Sequence, residues 1–204
     1  MNPSWVVHKF GGTSLADAER YRHVISVLRA EPGARKAIVV SAMSKVTDAL
    51  IAIVELAKLQ RDEYLERLEE LRTRHLQTVD ALLPNDAREP IAAVVESDFK
   101  DIKEILRGVY LSRGCSDGTM EFVVGHGELW SAQLLNAYLN SEGLVSTYLD
   151  ARKVLTVEPG DNGISVDWKR SQLQTTVWLD GLTPNAFASE ATDWIVITGF
   201  VAST

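Results

Sequence analysis

The chain has 204 residues, 46% of them hydrophobic, which is enough for one large globular domain or two small ones. Its formal net charge of −7 argues against general nucleic-acid binding, and no apolar run approaches the roughly 18 residues of a membrane span. The single cysteine, Cys115, excludes an internal disulfide, and with no signal-peptide pattern at the N-terminus a cytoplasmic location is expected.

Short apolar segments rich in β-branched and aromatic residues predict four buried strands, at residues 5–10, 37–41, 145–149 and 194–197. Helices are predicted between them, first at 16–30 and then at 46–59. The stripe of the first helix comprises Ala18, Tyr21, Val24, Ile25 and Leu28. Because strands and helices alternate, we predict an α/β fold, a three-layer sandwich whose mostly parallel sheet is covered on both faces.

Residues 61–113 interrupt this alternation with a charged stretch that has no strand signal. The stretch divides at LLPNDAREP into two amphipathic patterns, so we predict a helical hairpin inserted in the α/β domain. In its first helix, Glu63 with Arg67 and Glu70 with Arg74 have the spacing of helix-stabilising ion pairs. Packing or a subunit contact is the simplest role for the hairpin, since a charged run is usually a solvated face.

The remaining sequence predicts a helix at about 120–140 and a shorter one within 162–182. Apolar residues of the shorter helix are Trp168, Leu173, Val177 and Trp178. After the final strand the sequence stops at Thr204, with no helix to cover that strand. We therefore expect the chain to be a fragment of a longer protein.

In open α/β sheets, ligands bind beyond the carboxyl ends of the strands. The first predicted strand ends in Lys9 and Phe10 and continues as Gly11-Gly12-Thr13-Ser14. Glycines let backbone N–H groups approach an anion, a helix N-terminus favours negative charge, and lysine adds a full positive charge, so this loop suits a phosphate. A glycine pair alone also fits an ordinary tight turn, and the sequence has neither Walker A spacing nor G-x-G-x-x-G.

Three hydroxyl residues accompany the end of the second strand: Ser41, Ser44 and Thr47. For a single serine or threonine, capping the next helix is the simpler interpretation. Three hydroxyls within seven residues, close to the first loop, also favour polar contacts to a ligand.

Glu128 lies on a helical stripe of apolar or small residues that includes Val124, Ser131 and Ala132. Glutamates are uncommon on such faces unless they are paired. We therefore predict either an internal salt bridge or a carboxylate that faces a cationic group of a substrate. The four histidines have no metal-ligand spacing, so no protein metal site is predicted.

Three motifs stand in order along the chain: KFGGTS, VVSAMSKVTDAL and GHGELWSAQLL. Together they closely resemble aspartate kinase, a member of the amino-acid kinase family, and the resemblance extends to LDARKV and VITGF. It implies an amino-acid kinase-like fold and the use of ATP and Mg²⁺. The implied reaction phosphorylates the side-chain carboxylate of L-aspartate to 4-phospho-L-aspartate, the first step toward lysine, threonine and methionine.

The resemblance also implies roles for individual residues. Lys9 would contact the transferring phosphoryl group. The loop that would hold phosphate oxygens comprises Gly11, Gly12, Thr13 and Ser14. The residues that would bind aspartate are Ser41, Thr47 and Glu128, with Glu128 facing the α-ammonium group. Phosphoryl transfer needs positioning and charge neutralisation rather than a covalent nucleophile, and these residue types meet that need.

In aspartate kinases, a glycine-rich segment with an arginine and an aspartate follows the strand that resembles VITGF. The nucleotide-binding half and regulatory domains come after it. None of these follows here, so residues 1–204 are expected to be the N-terminal, substrate-side lobe, with a helical insertion at about 61–113 and little activity alone. The parent protein is expected to be a homo-oligomer that binds L-aspartate and ATP.

Two other hypotheses stay open at this point. The parent protein is another member of the family acting on a different carboxylate or carbamate, or the chain is a non-catalytic module whose hairpin mediates oligomerisation. Whether the parent carries a fused second enzyme, and which amino acid inhibits it, is also open.

Overall fold

The computed structural model describes residues 5–31, 35–160, 163–181, 194–199 and 201. Its strands are β1 (Trp5–Phe10), β2 (Arg35–Val40), β3 (Ser146–Leu149), β4 (Val157–Gly160), β5 (Gly163–Val166) and β6 (Trp194–Thr198). Its α-helices are α1 (Ala18–Ala30), α2 (Val46–Lys58), α3 (Glu63–Leu82), α4 (Asn85–Ser112), α5 (Asp117–Ser141) and α6 (Trp168–Gly181). No helix in these ranges is long and apolar enough to cross a bilayer.

Strands β1, β2, β6 and β3 form one sheet in that spatial order, and each neighbouring pair is parallel. Lys9 lies beside Val39, and Val39 lies beside Ile197, so the strands end together at one edge of the sheet. The predicted strands are confirmed, three of them to within one residue at each end, while β2 begins two residues earlier than predicted, at Arg35.

Helices cover both faces of this sheet. On one face, Ile38 and Val40 of β2 join the main core with α1, α2 and α5. On the other face, Ile195 of β6 packs in a smaller apolar cluster that includes Trp178 of α6. Because neighbouring residues of a strand point to opposite faces, the two clusters are separated by the sheet. The predicted α/β sandwich with a parallel sheet is confirmed.

Helices α3 and α4 lie side by side and pack against α2, and α4 also packs against α5. The predicted helical hairpin is therefore confirmed as part of the fold. Its buried side chains include Tyr64, Leu68, Leu71, Val79, Val95, Phe99, Ile102 and Leu106. These residues extend the main core away from the sheet, so the hairpin forms a further layer behind the helices that cover β2.

The ion pairs of the hairpin differ from those predicted. Glu63 pairs with Arg61 at 2.7 Å, and Glu70 lies 3.8 Å from Arg67. Arg74, predicted to pair with Glu70, points inward and donates to backbone carbonyls at the sheet edge. Arg61 precedes α3 and is two residues from Glu63, and within the helix residues three apart are neighbours as well as residues four apart, so spacing alone did not decide between these partners.

The second half of the chain contains a strand pair that the sequence pattern did not predict. Strands β4 and β5 pair antiparallel and lie apart from the main sheet. Helix α6 begins after them at Trp168, where the side chain of Asp167 accepts a hydrogen bond from the Arg170 N–H. Trp168 is 74% exposed, so it lies outside the core that its apolar character suggested. The bounds predicted for this helix, Asn162 and Leu182, are outside the described residues.

His75 of α3 is buried in an aromatic cluster with Phe99 and Trp130. Its Nδ1 lies 2.8 Å from the Leu71 carbonyl oxygen, while its Nε2 has no partner among the described residues. Burial lowers the pKa of His75 from 6.5 to about 4. The native state therefore holds this imidazole neutral at pH values where the unfolded chain binds a proton.

We expect the free energy of unfolding to fall as the pH drops from about 6.5 toward 4, by roughly 3 kcal/mol from this residue. A depressed histidine pKa stabilises the fold above the unfolded value, and that stability is lost as the pH falls through the folded value. Urea denaturation at several pH values measures it. His75→Phe should flatten the profile, whereas the exposed His23→Gln should not; equal profiles for wild type and His75→Phe would contradict the assignment.

Candidate active site

The loops that follow the parallel strands are joined to one another at the carboxyl edge of the sheet. The Ser41 N–H donates to the Phe10 carbonyl at 3.0 Å, and the Gly199 N–H donates to the Val40 carbonyl at 2.8 Å. On the far side of β6, the Ala151 N–H donates to Thr198 Oγ1 at 2.8 Å. These bonds continue the strand pairing past the last strand residues, so the loops hold fixed positions relative to the sheet.

The first loop differs from the predicted strand–loop–helix arrangement. Gly12–Leu15 forms a 3₁₀ turn in which the Ser14 N–H donates to the Gly11 carbonyl at 2.9 Å. Helix α1 begins only at Ala18, and its N-terminus is capped by the Asp17 carboxylate. The N-terminus of α1 therefore already faces an anion. Anion binding at this loop would have to use the first N–H groups of the 3₁₀ turn, which have no partner inside the turn.

The second loop, residues 41–45, lies against the first. A methyl group on Gly12 would lie 3.0 Å from the Ala42 carbonyl oxygen, so glycine allows the two loops to approach this closely. Met43 is buried in the main core, and Lys45 has a left-handed conformation with φ of 63°. Lys45, not a serine or threonine, is the N-cap residue of α2, and its side chain makes no capping bond.

The hydroxyl residues of this region are therefore not used to cap α2. Ser41 and Ser44 are half-buried in the loop, and Thr47 is half-buried in the first turn of α2. Val46, beside Thr47, packs close to Gly127 of α5. The three hydroxyls thus lie on the segment that contacts both the first loop and the part of α5 that carries Glu128.

Glu128 is 5% exposed and makes no salt bridge within the described part of the chain. Its carboxylate accepts a hydrogen bond from the Ala42 backbone N–H, but its Oε2 has no partner among the described residues. Burial raises the pKa of Glu128 above its ordinary 4.5, while that hydrogen bond and the charge of Lys9 act in the opposite direction. Of the two predicted alternatives, the internal salt bridge is not found among the described residues, and the buried oxygen next to the second loop can accept a hydrogen bond from a cationic ligand.

Lys9, which was predicted to contact the transferring phosphoryl group, is exposed near the end of β1. Its charge acts on Glu128, so the lysine and the buried carboxylate belong to one electrostatic neighbourhood. His126, two residues before Glu128, has Nδ1 2.7 Å from the Phe122 carbonyl oxygen of its own helix. That contact supports the structural role expected of a lone histidine.

Three further residues support this edge, and sequence reasoning did not assign them to it. The buried Tyr21 hydroxyl of α1 lies 3.0 Å from Ser131 Oγ, one helical turn from Glu128. Arg74 of α3 donates to backbone carbonyls of both loops. Tyr21 was recognised only as part of an apolar stripe, and Arg74 only as a helix ion-pair partner. A sequence pattern contains no signal for a tertiary partner of this kind.

The profile of the amino acid kinase family matches residues 4–203, nearly the whole chain. The chain belongs to the amino acid kinase family. It is 38% identical, over 202 residues, to the chloroplastic bifunctional aspartokinase/homoserine dehydrogenase 1 of Arabidopsis thaliana, covering 98% of this chain and 21% of that protein. It is 34% identical over 152 residues to bifunctional aspartokinase/homoserine dehydrogenase 2 of Escherichia coli K12, covering 74% and 18% respectively. The chain thus spans about a fifth of the length of these curated relatives.

Solved structures of E. coli aspartokinase III resemble this chain. The complex with aspartate and ADP has a TM-score of 0.78 and 26% identity, covering 98% of this chain and 41% of that one. The complex with lysine and aspartate has a TM-score of 0.79 at 24% identity, covering 97% and 41% respectively, and supports the fold alone. The resemblance to aspartate kinase drawn from the three motifs is confirmed.

The donor set of this chain does not by itself fit a divalent cation. Within the described ranges, no group of three or more His, Cys, Asp or Glu side chains is placed to hold a metal. Of the residues predicted for the site, Glu128 alone has a carboxylate. At sites that bind nucleotides, Mg²⁺ is held by substrate phosphates, waters and one or two carboxylates, so the predicted site residues of this chain supply at most one such ligand.

The close approach of α5 to the second loop depends on Gly127. A methyl group there would lie 2.9 Å from Ala42 Cβ and 3.0 Å from Val46 Cγ1. We expect Gly127→Ala to destabilise the fold by about 1–3 kcal/mol, despite the better helix propensity of alanine. Gly118, in the first turn of the same helix, has open space and is the matched control. Chemical denaturation measures both; a Gly127→Ala variant as stable as Gly118→Ala would show that the contact is not tight.

Proposed function

We propose that this chain is the substrate-side part of an aspartate kinase, which transfers the γ-phosphoryl group of ATP to the side-chain carboxylate of L-aspartate. The products are ADP and 4-phospho-L-aspartate. The observation that carries this proposal is the buried Oε2 of Glu128, which has no partner among the described residues, at the sheet edge where Lys9 precedes the last residue of β1. An amino acid with an ammonium group and two carboxylates matches a site that combines a buried anion with a cation.

Glu128 is proposed to bind the α-ammonium group of aspartate. Placing a cation beside its Oε2 offsets the unfavourable burial of this carboxylate, and charge-assisted hydrogen bonds of this kind are strong. Ser41 and Thr47 are proposed to donate or accept hydrogen bonds to the bound amino acid, because both belong to the segment 41–47, whose Ala42 N–H already holds Glu128. The aspartate bound by E. coli aspartokinase III supports this substrate class.

Lys9 is proposed to neutralise the negative charge of the phosphoryl group during its transfer. The residues proposed to hold phosphate oxygens are Gly11, Gly12, Thr13 and Ser14. Phosphoryl transfer asks for a cation and N–H donors in place, with no covalent intermediate on the protein. Lys9 is exposed, so it is accessible to a nucleotide that arrives from outside this chain. The ADP in the E. coli complex supports nucleotide use, although that chain is more than twice as long.

We further propose that residues 1–204 supply this half of the site within a longer protein, including the hairpin at about 61–113. The support is the share of the relatives that the chain covers, about a fifth of the bifunctional enzymes. Their second activity, homoserine dehydrogenase, becomes the specific expectation for any fused domain. An assay for that activity in the full-length protein would test the expectation separately.

A coupled assay that reports ADP formation tests the proposed reaction. Full-length protein with Mg-ATP should turn over L-aspartate and leave L-glutamate and carbamate unchanged; a preference for either of these would favour another member of the family. Residues 1–204 alone should show little turnover, and clear turnover would contradict the proposal that the nucleotide half lies elsewhere. If no acceptor is phosphorylated, deletion of 61–113 and measurement of the mass in solution would test the oligomerisation hypothesis.

A further inference from the structure

Arg74 makes two hydrogen bonds that join the hairpin to both loops of the candidate site. Its Nη1 donates to the Ser44 carbonyl at 2.9 Å, and its Nη2 donates to the Ala16 carbonyl at 3.0 Å. The two acceptors are 28 residues apart in the sequence and belong to different loops. One guanidinium group from α3 therefore connects two segments that the sheet edge brings together.

Each acceptor lies where the path of a loop is decided. Ser44 directly precedes Lys45, whose φ of 63° is uncommon for a residue with a side chain and persists only where surrounding contacts hold it. The Ser44 carbonyl belongs to the peptide group that enters this turn, so the bond from Arg74 fixes its orientation. Ala16 ends the 3₁₀ turn Gly12–Leu15, so the second bond fixes where that turn stops before α1.

The spacing between the two loops leaves little tolerance. A methyl group on Gly12 would already lie 3.0 Å from the Ala42 carbonyl oxygen, and the Ala42 N–H holds Glu128. A shift of one loop against the other would therefore move the 3₁₀ turn Gly12–Leu15 relative to the Glu128 carboxylate. The planar guanidinium fork presents donors at a fixed separation, which a flexible ammonium group does not.

The charge of Arg74 also acts on Tyr21, which contacts Ser131 close to Glu128. It acts to lower the pKa of the buried Tyr21 hydroxyl, although burial has the larger, opposite effect. Tyr21 in turn contacts Ser131, one turn from Glu128 on α5. Arg74 thus lies among the residues that hold α1, α2 and α5 together at the sheet edge, and it is supplied by the hairpin.

We propose that Arg74 is a positioning residue of the kinase site, which sets the separation of the 3₁₀ turn Gly12–Leu15 and the second loop, residues 41–45. The inference rests on the proposed function for its catalytic consequence, but the contact itself is independent of it. The hairpin then has a role in the site beyond packing, because it provides the one side chain seen, in the described residues, to bond both loops.

Arg74→Ala in the full-length protein tests the proposal. We expect kcat/KM for aspartate to fall by about tenfold to a hundredfold, as displacement of a catalytic element by about 1 Å can cause. The loss should include a higher KM, because the loop that carries Ser41 moves. A purely structural loss would reduce the active fraction and leave KM unchanged. Arg74→Lys should recover part of the KM, since one of the two carbonyls can still be reached.

Arg67→Ala is the matched control, because Arg67 lies two turns earlier on the same helix and, in the part of the chain that the structure describes, pairs with Glu70 alone, at 3.8 Å. It should leave kcat and KM unchanged. Added guanidinium ion at millimolar concentration should restore activity to Arg74→Ala and not to Arg74→Lys. Access is available through a groove of about 610 Å³ between α2 and α3, which Arg74 lines.

Hydrogen exchange separates this inference from the proposed reaction. In Arg74→Ala, the amides of Ser14 and Val46, which close the two loop turns, should exchange faster than in wild type and in Arg67→Ala. If wild type phosphorylates no aspartate, the proposed function is wrong, but the exchange result still shows whether Arg74 holds the two loops. Unchanged exchange at both amides, or kinetics equal to those of Arg67→Ala, would overturn the positioning role.

Discussion

Lys9→Ala is expected to remove phosphoryl transfer from a protein that still folds. The ammonium group is exposed, and the backbone of Lys9 keeps its place beside Val39 in the parallel sheet whatever the side chain. Loss of the cation leaves the negative charge on the transferring group without its neutralising partner from this chain. A single positive or N–H donor group at such a position is worth on the order of 10³-fold in rate, so kcat should fall by about that factor.

The measurement is the ADP-coupled assay on full-length protein, with circular dichroism and a thermal melt to show that the fold is kept. Lys100→Ala, at an exposed position of the hairpin, is the control for removing one lysine charge and should leave kcat unchanged. Lys9→Arg keeps the charge but presents it as a planar fork, so partial activity is expected. A Lys9→Ala variant with wild-type kcat would remove Lys9 from the chemistry.

The sheet and its helices were predictable because their signals are local. The apolar run of β2 and the 3.6-residue period of α1 depend on which faces are buried, and burial against a parallel sheet leaves a continuous apolar run in the sequence. The burial of Glu128 was also predictable from a local pattern, since an acid on an apolar helical stripe indicates a buried charge. In each case the residue type and the spacing contain the information.

Features that depend on tertiary partners were not predictable in this way. The hairpin formed as expected, but its spacing gave Arg74 the wrong partner, because the carbonyls of Ser44 and Ala16 become neighbours only after folding. The start of α1 was also placed two residues too early, since the 3₁₀ turn Gly12–Leu15 and the cap at Asp17 both precede the helix. Leu15, the last residue of that turn, is fully buried, and this tertiary contact leaves no signal in the local sequence.

Glu128→Gln should separate substrate binding from stability, because the exchange removes a charge with almost no change in shape. The amide still accepts the Ala42 N–H bond that the carboxylate accepts now. It no longer attracts an ammonium group, and loss of one partner of a desolvated charged pair costs about 2 kcal/mol or more, so kcat/KM for aspartate should fall at least about thirtyfold. Glu121→Gln, two turns earlier on α5 and exposed, is the matched control and should change neither property.

Although Glu128→Gln should lose activity, it should gain stability relative to wild type as the pH rises. Burial raises the folded pKa of Glu128 above 4.5, so its contribution to stability is fully present below about pH 4.5 and is lost as the pH rises through the folded value. Glutamine has no such loss. Glu128→Gln should therefore match wild type near pH 4.5 and become the more stable protein toward pH 8, measured by urea denaturation without substrate. A variant that is less stable at pH 8 would mean that the carboxylate is paired in solution, and the ammonium site assigned to Glu128 would then be occupied by the protein itself.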